Sequence, residues 1–387
     1  MALKVAARGR IDPFIVMEVM RAAAERVAGG ADVIHLEVGQ PSTRAPRKVL
    51  EAAKRALEQE LIGYTLALGI PGLRARIARH YREFYGADVP AERIVVTTGS
   101  SGGFLLAFLT AFGPGDRVAL ASPGYPCYRN ILTALGVEPV IVPMEADTKY
   151  QPTVEALEQV QRETGEHLDG LIIASPSNPV GAIVPDAQMR ALSQYCRRGG
   201  IRLVSDEIYH GITYGIDAVT AAAIDEQAIV VNSFSKYFSM TGWRLGWLVV
   251  PTDLLQPIER LQQNLFISPP TLSQHAGIAA FDAHEECRAN VRRYAANRDL
   301  LLGELPGAGF DKLVATDGAF YIYADVARLT NDSVEFCRRM LAETGVAATP
   351  GVDFDGQRGH ATMRFCFAGS TEDMMEAVRR LKAWRRS

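Results

Sequence analysis

Ile229-Val230-Val231-Asn232-Ser233-Phe234-Ser235-Lys236-Tyr237-Phe238-Ser239-Met240-Thr241-Gly242-Trp243-Arg244-Leu245-Gly246 opens on a short apolar run and closes on an arginine among glycines. An unbroken apolar triplet reads as a strand buried on both faces. Lys236 follows among small hydroxyl residues, and Arg244 comes eight positions after it. A lysine amine bonds covalently to aldehydes, and a guanidinium grips phosphate with a fork of donors. Taken alone, a lysine beside serines is usually a solvated loop residue, so the rest of the chain decides.

Outward from this stretch, the same kind of run recurs: Ile94-Val95-Val96, Val118-Ala119-Leu120, Leu171-Ile172-Ile173-Ala174, Leu203-Val204 and Leu245-Gly246-Trp247-Leu248-Val249-Val250. Helical patterns such as Asp186 to Cys196 lie between several of them. Continuous apolar strands joined by helices predict an α/β fold: a mainly parallel sheet sandwiched by helices. Beyond about Ser273 the pattern changes to a charged helical stretch through Arg288 to Leu305, the apolar segment Ala319 to Tyr323, a helix near Ser333 to Thr344, the strand Met363 to Phe367 and a basic terminal helix. This reads as a smaller α+β domain, formed by residues 1–44 with 276–387, beside a large domain over 45–275. Pro41 and Pro46 mark the crossing.

The 387 residues suit two domains, and 48% hydrophobic content makes the chain globular. A net charge of -3 gives no overall attraction to nucleic acid or anionic lipid. The five cysteines are scattered, odd in number and without redox or metal spacing, which favours a reducing cytoplasm and no disulfide framework. The seven histidines do not cluster, so no metal site is expected. The N-terminus from Met1 to Arg10 has no long apolar core, and no apolar run is long enough to span a bilayer.

Three further motifs follow predicted strands. Thr97-Thr98-Gly99-Ser100-Ser101-Gly102-Gly103 precedes an apolar helical run, where free backbone N–H groups make an anion site; it reads otherwise as a tight turn. Ser175-Pro176-Ser177-Asn178-Pro179 is explained by turn chemistry or by an Asn178 amide donating to a ring oxygen. Asp206 ends the Leu203-Val204 strand and is either a helix N-cap or the partner of a protonated pyridine nitrogen. Tyr209 is either a packed aromatic or a donor beside Asn178. Aldehyde, phosphate, pyridine nitrogen and ring oxygen all belong to pyridoxal 5'-phosphate. The order of the four motifs along one sheet carries more weight than any one of them.

In that order the chain resembles the class I/II aminotransferases of the aspartate-aminotransferase-like fold, over nearly its whole length. Leu36-Glu37-Val38-Gly39-Gln40-Pro41, Gly63-Tyr64-Thr65 with Gly69, Gly72 and Leu73-Arg74, Pro123-Gly124-Tyr125-Pro126, Ser235-Lys236 with Gly242-Trp243-Arg244-Leu245-Gly246, and Met363-Arg364-Phe365 are each similar to a family motif. The resemblance implies that Lys236 holds the cofactor as a Schiff base and then acts as the base, that Asp206 pairs with the pyridinium, and that Asn178 and Tyr209 bind the ring oxygen. It implies that Tyr125 stacks on the ring, that Ser100, Ser101, Ser233 and Arg244 hold the phosphate, and that Tyr64 reaches the phosphate of a neighbouring subunit in an obligatory homodimer. Arg364 would clamp the substrate carboxylate, with Gly39 letting backbone come close.

The implied reaction moves an amino group from an L-amino acid to a 2-oxo acid such as 2-oxoglutarate. Ser101 stands where some members for acidic substrates carry lysine, which favours a neutral or aromatic donor; Val180 stands where threonine is frequent. Pro13-Phe14-Ile15-Val16-Met17 lines an apolar side-chain pocket or serves core or interface. Two alternatives use the same resemblance: β-elimination as in cystathionine-β-lyase-like relatives, and a non-catalytic sensor domain of a transcription regulator. The second ranks last, because no basic DNA-binding segment precedes the enzyme-like part.

Overall fold

The computed structural model describes residues 3–384; Met1 and Ala2 of the N-terminal stretch and the last three residues of the basic tail lie outside the described residues. Its strands are β1 (Ile34–His35), β2 (Ile94–Thr97), β3 (Arg117–Ser122), β4 (Glu138–Pro143), β5 (Gly170–Ala174), β6 (Arg202–Asp206), β7 (Ile229–Ser233), β8 (Gly246–Val249), β9 (Lys312–Val314), β10 (Tyr321–Asp325), β11 (Val346–Ala347), β12 (Thr349–Pro350) and β13 (Thr362–Cys366). The large sheet has the order β2-β8-β7-β6-β5-β3-β4. Only β8 runs against the others, pairing antiparallel with β2 and β7. All the apolar runs of the central sequence are strands of this sheet, and helices such as Gly99–Ala111 and Asp186–Gly199 cover it.

Edge strand β4 is covered on one face only. It buries only alternate residues, Val140 and Val142, while Ile141 between them faces out. Such period-2 burial is what an edge strand with one covered face needs. The C-terminal third forms a second sheet, β12-β13-β10-β9, entirely antiparallel. Strand β1 pairs in parallel with β11, so the N-terminal segment is stitched to the C-terminal part. The expected helix at Ser333–Thr344 is present, and the long charged helix spans His284–Glu304. Among the described residues, no helix is long and apolar enough to cross a membrane. Among them too, no group of three or more His, Cys, Asp or Glu side chains could hold a metal ion.

The turn after β7 is supported from below by aromatic packing. Phe234 is fully buried, and its ring centroid lies 5.0 Å from Trp247, 5.3 Å from Phe281 and 5.5 Å from Phe238. Ring pairs at such spacing add to the stabilisation from buried area. Phe234→Ala is expected to cost about 3–5 kcal/mol, read as a lowered urea midpoint with an unchanged slope. A loss below about 1 kcal/mol would mean that the neighbouring rings close the gap.

Candidate active site

The register of the sheet brings the motifs together. Ala174 pairs with Asp206 and Asp206 with Val231, so β5 and β6 end level with Val231, two residues before the end of β7. Ser233 is opposite Gly246, which is opposite Thr97, so the Gly-Ser turn after β2 sits beside the Arg244-Leu245-Gly246 entry to β8. That approach is close. A Cβ on Gly246 would stand 2.9 Å from Gly99 C, Ser100 N and Asn232 O, so only glycine fits.

Above this level lies a cavity of about 430 Å³. Gly39, Ser100, Ser101, Tyr125 and Asn178 line it, as do Asp206, Tyr209, Lys236, Arg244 and Arg364. Two expected residues stand elsewhere. Ser233 lies one layer back, its hydroxyl bonded to Ser235 Oγ at 2.8 Å and donating to Leu245 O at 3.1 Å; Ser235 is the wall residue. Tyr64 is 87% exposed and takes no part in the lining.

At one end of the cavity the helix Gly99–Ala111 begins without a capping side chain, its first amides free for an anion. Gly99 has φ +68°, and a Cβ there would meet Arg244 Nη2 at 2.6 Å. Arg244 is itself left-handed (φ +52°) and donates to Thr241 O at 3.0 Å. Guanidinium, free amides and the Ser100, Ser101 and Ser235 hydroxyls converge there, a donor set that fits a phosphate.

On the floor, Asp206 is almost fully buried and accepts from the Tyr128 hydroxyl and from Ile208 N at 3.1 Å. Among the described residues it has no ion-pair partner. Burial pushes its pKa up to about 6, against the pull of those two donors. A cationic ring nitrogen fits this carboxylate, whose charge is otherwise costly.

At the other end, Arg364 on β13 is buried and lies over the rings of Tyr321 and Phe354, 4.2 and 4.7 Å from their centroids. Its Nη1 donates to Asn178 Oδ1 at 2.7 Å, and its Nη2 to Glu37 O and to Thr349 Oγ1. Its Nε is buried without a partner, an unused donor on a charged group. The Tyr209 and Tyr321 hydroxyls share a hydrogen bond of 2.6 Å. A Cβ on Gly39 would fall on the Tyr321 hydroxyl.

Between these ends stands Lys236, whose Nζ donates to Gly39 O at 2.6 Å. Burial, aided by Arg364 and Arg244 and opposed by Cys366 and Asp206, lowers its pKa to about 8. Each end of the cavity thus holds a cation, and the amine between them is poised near neutrality.

The sequence reading missed Tyr128 and Tyr321. Tyr128 is three residues after Tyr125, at the start of the helix Pro126–Leu135, with the two rings 5.2 Å apart. That i, i+3 spacing of aromatics was the available signal. Tyr321 offered none, because its partners Gly39, Tyr209 and Arg364 are far away in sequence.

The model of the family "Aminotransferase class I and II" matches residues 31–381. The valine–pyruvate aminotransferase of Mycobacterium tuberculosis is 49% identical, with 98% of each chain covered. The (5-formylfuran-3-yl)methyl phosphate transaminase of Methanocaldococcus jannaschii is 33% identical, with 96% of each covered. A crystal structure of an aminotransferase from Mycobacterium tuberculosis superposes with a TM-score of 0.95 at 49% identity over the whole of both chains. The turn-borne lysine, the carboxylate floor and the two arginines thus sit in a fold and sequence of one lineage, and this chain belongs to the class I and II aminotransferases, enzymes that work with pyridoxal 5'-phosphate on amino and 2-oxo acids.

Proposed function

We propose that the protein moves the amino group of an L-amino acid with a neutral apolar side chain, such as valine, to a small 2-oxo acid, pyruvate foremost. The supporting observation is the cavity's charge pattern. Its three basic side chains are Lys236, Arg244 and Arg364, and the remaining wall carries Phe14, Val16, Met17 and Met20. A second carboxylate, on aspartate or on the 2-oxoglutarate first expected as acceptor, would lie against that apolar wall without a counter-charge. The relative named for valine and pyruvate supports the same choice.

In this reading, bound pyridoxal phosphate supplies the electron sink that acidifies the substrate Cα–H. Asp206 keeps a proton on the ring nitrogen, and the Tyr128 hydroxyl holds the carboxylate in place. Asn178 has its oxygen committed to Arg364, so its NH2 group donates to the ring oxygen, beside the Tyr209 hydroxyl. Tyr125 stacks on the ring. Ser100, Ser101 and Arg244 bind the phosphate, with Ser233 supporting Ser235 behind them. Arg364, whose side chain lines the cavity, takes the substrate carboxylate, and Gly39 keeps that approach open. Lys236, in the neutral form that a pKa of about 8 makes accessible, would take the proton from Cα on its Nζ and deliver it to the cofactor's aldehyde carbon. Tyr64 of a second copy completes the phosphate site in a homodimer; it is exposed, as are Leu57, Leu61 and Leu66 in the same stretch of chain, apolar side chains suited to burial between subunits.

Lys236→Ala is expected to bring valine–pyruvate turnover below detection, and turnover near the wild-type rate would remove Lys236 from the role of base. The pH dependence of cofactor uptake tests the amine directly. In protein freed of cofactor, a lysine lowered from 10.5 to about 8 is mostly protonated at pH 7 and neutral above pH 8. Borohydride trapping of added pyridoxal phosphate at Lys236 should therefore rise with pH and reach half its maximum near pH 8, with Lys236→Ala as the blank. A half-maximum near 10.5 would mean a solvated amine. In a panel of donors and acceptors, kcat/KM for valine with pyruvate should exceed that for aspartate with 2-oxoglutarate by about tenfold or more; the reverse order would sink the apolar-donor reading.

A further inference from the structure

The apolar wall of the cavity comes from Phe14 and the helix Ile15–Ala28. Val16 and Met20 lie four apart and share one helix face. This helix has no side-chain cap of its own, since Phe14 occupies the N-cap. Its first two amides are met from the far end of the chain: Ile15 N donates to Asp353 Oδ1 at 3.1 Å and Val16 N to Asp353 Oδ2 at 3.2 Å. Asp353 is fully buried.

The turn that carries Asp353 has two further attachments. Arg129 Nη2 donates to Asp353 O at 2.9 Å. The next residue, Phe354, has its ring against the Arg364 guanidinium, and its carbonyl accepts from Gly124 N at 3.0 Å, beside Tyr125. Neighbouring residues of one turn therefore hold the apolar wall and the guanidinium at the cavity's end. A carboxylate that accepts from two adjacent helix amides restrains both the position and the tilt of that first turn.

We infer that Asp353 is a specificity-positioning residue: by tying the start of the helix Ile15–Ala28 to the turn that supports Arg364, it sets the distance between the substrate's carboxylate and the wall that receives its side chain. This rests on the apolar-donor reading given above. A donor held at Arg364 reaches the wall only with its side chain. Leucine therefore depends on that distance, and alanine, with a single methyl group, hardly does. Asp353 touches neither substrate nor cofactor in this scheme and acts through Val16 and Met20.

The test is the amino-donor half-reaction of the cofactor-loaded enzyme, followed by cofactor absorbance with leucine or alanine and no acceptor. Asp353→Ala is expected to lower the leucine-to-alanine ratio of specificity constants by about tenfold or more, chiefly through weaker saturation by leucine. Asp353→Asn keeps one acceptor oxygen and should lie between the two. A ratio within about twofold of wild type, with both donors slowed alike, overturns the inference. If Asp353→Ala folds poorly by thermal denaturation, Asp353→Asn decides on the same ratio, and an unmoved ratio again overturns it. Failure of the underlying reading looks different: the unaltered enzyme would then prefer aspartate or glutamate to leucine.

Discussion

Everything in the cavity depends on three parallel strands held in one register. The backbone ladder pairs Ala174 with Asp206 and Asp206 with Val231. Asn178, Asp206 and Lys236 leave the sheet within a few residues of that line. A slip of one residue in any of the pairings would turn the following side chains to the other face. Both sides are close-packed, with Ile172, Val204 and Val231 on one and Ile173, Leu203 and Val230 on the other, so a slip would have to repack two cores at once. Close packing of apolar side chains thus fixes the direction of the polar groups.

The second requirement is that buried polar groups be satisfied without being neutralised. Asp206 receives a hydroxyl and an amide rather than a cation. Arg364 receives a side-chain amide oxygen, a carbonyl and a hydroxyl rather than a carboxylate. Lys236 donates to a carbonyl. Neutral partners orient a charged group and leave its charge to act on whatever enters, and in a desolvated cavity that action is strong. A salt bridge at any of these positions would have spent the charge on the protein itself. The lowered pKa of Lys236 and the raised pKa of Asp206 have one leading cause, burial, which pushes both groups toward neutrality.

This division explains what the sequence made legible. Continuous apolar runs announced β2, β3, β5, β6, β7 and β8, because a strand covered on both faces has no polar alternation to blur it. The residues just beyond those runs, Asn178, Asp206, Lys236 and Arg244, were legible because strand ends in such sheets point at ligands. The groups that orient them were not. Tyr128 meets Asp206 across 78 residues, Tyr321 meets Tyr209 across 112, and Asp353 meets Val16 across 337. No local pattern encodes such pairings; they arise only when the two sheets and the N-terminal segment close on one another. Ser233 shows the finer limit. Its spacing from Lys236 was readable, but the alternation of the turn that places Ser235 on the wall was not.

The charge pattern also bears on how one site serves two different substrates in turn. An amino donor and an oxo acceptor share a carboxylate and differ at Cα, so a guanidinium at one fixed point selects what they have in common. Arg364 is well suited to this, because Asn178, Glu37 and Thr349 hold its guanidinium in one place through neutral acceptors and leave its charge uncompensated. The wall of Phe14, Val16, Met17 and Met20 then acts only on the side chain, by area rather than by direction. A hydrophobic wall discriminates weakly between side chains of similar size but strongly against a charge. A site of this kind accepts a family of neutral partners and excludes acidic ones, and its selectivity within that family depends on how firmly the wall is held in place.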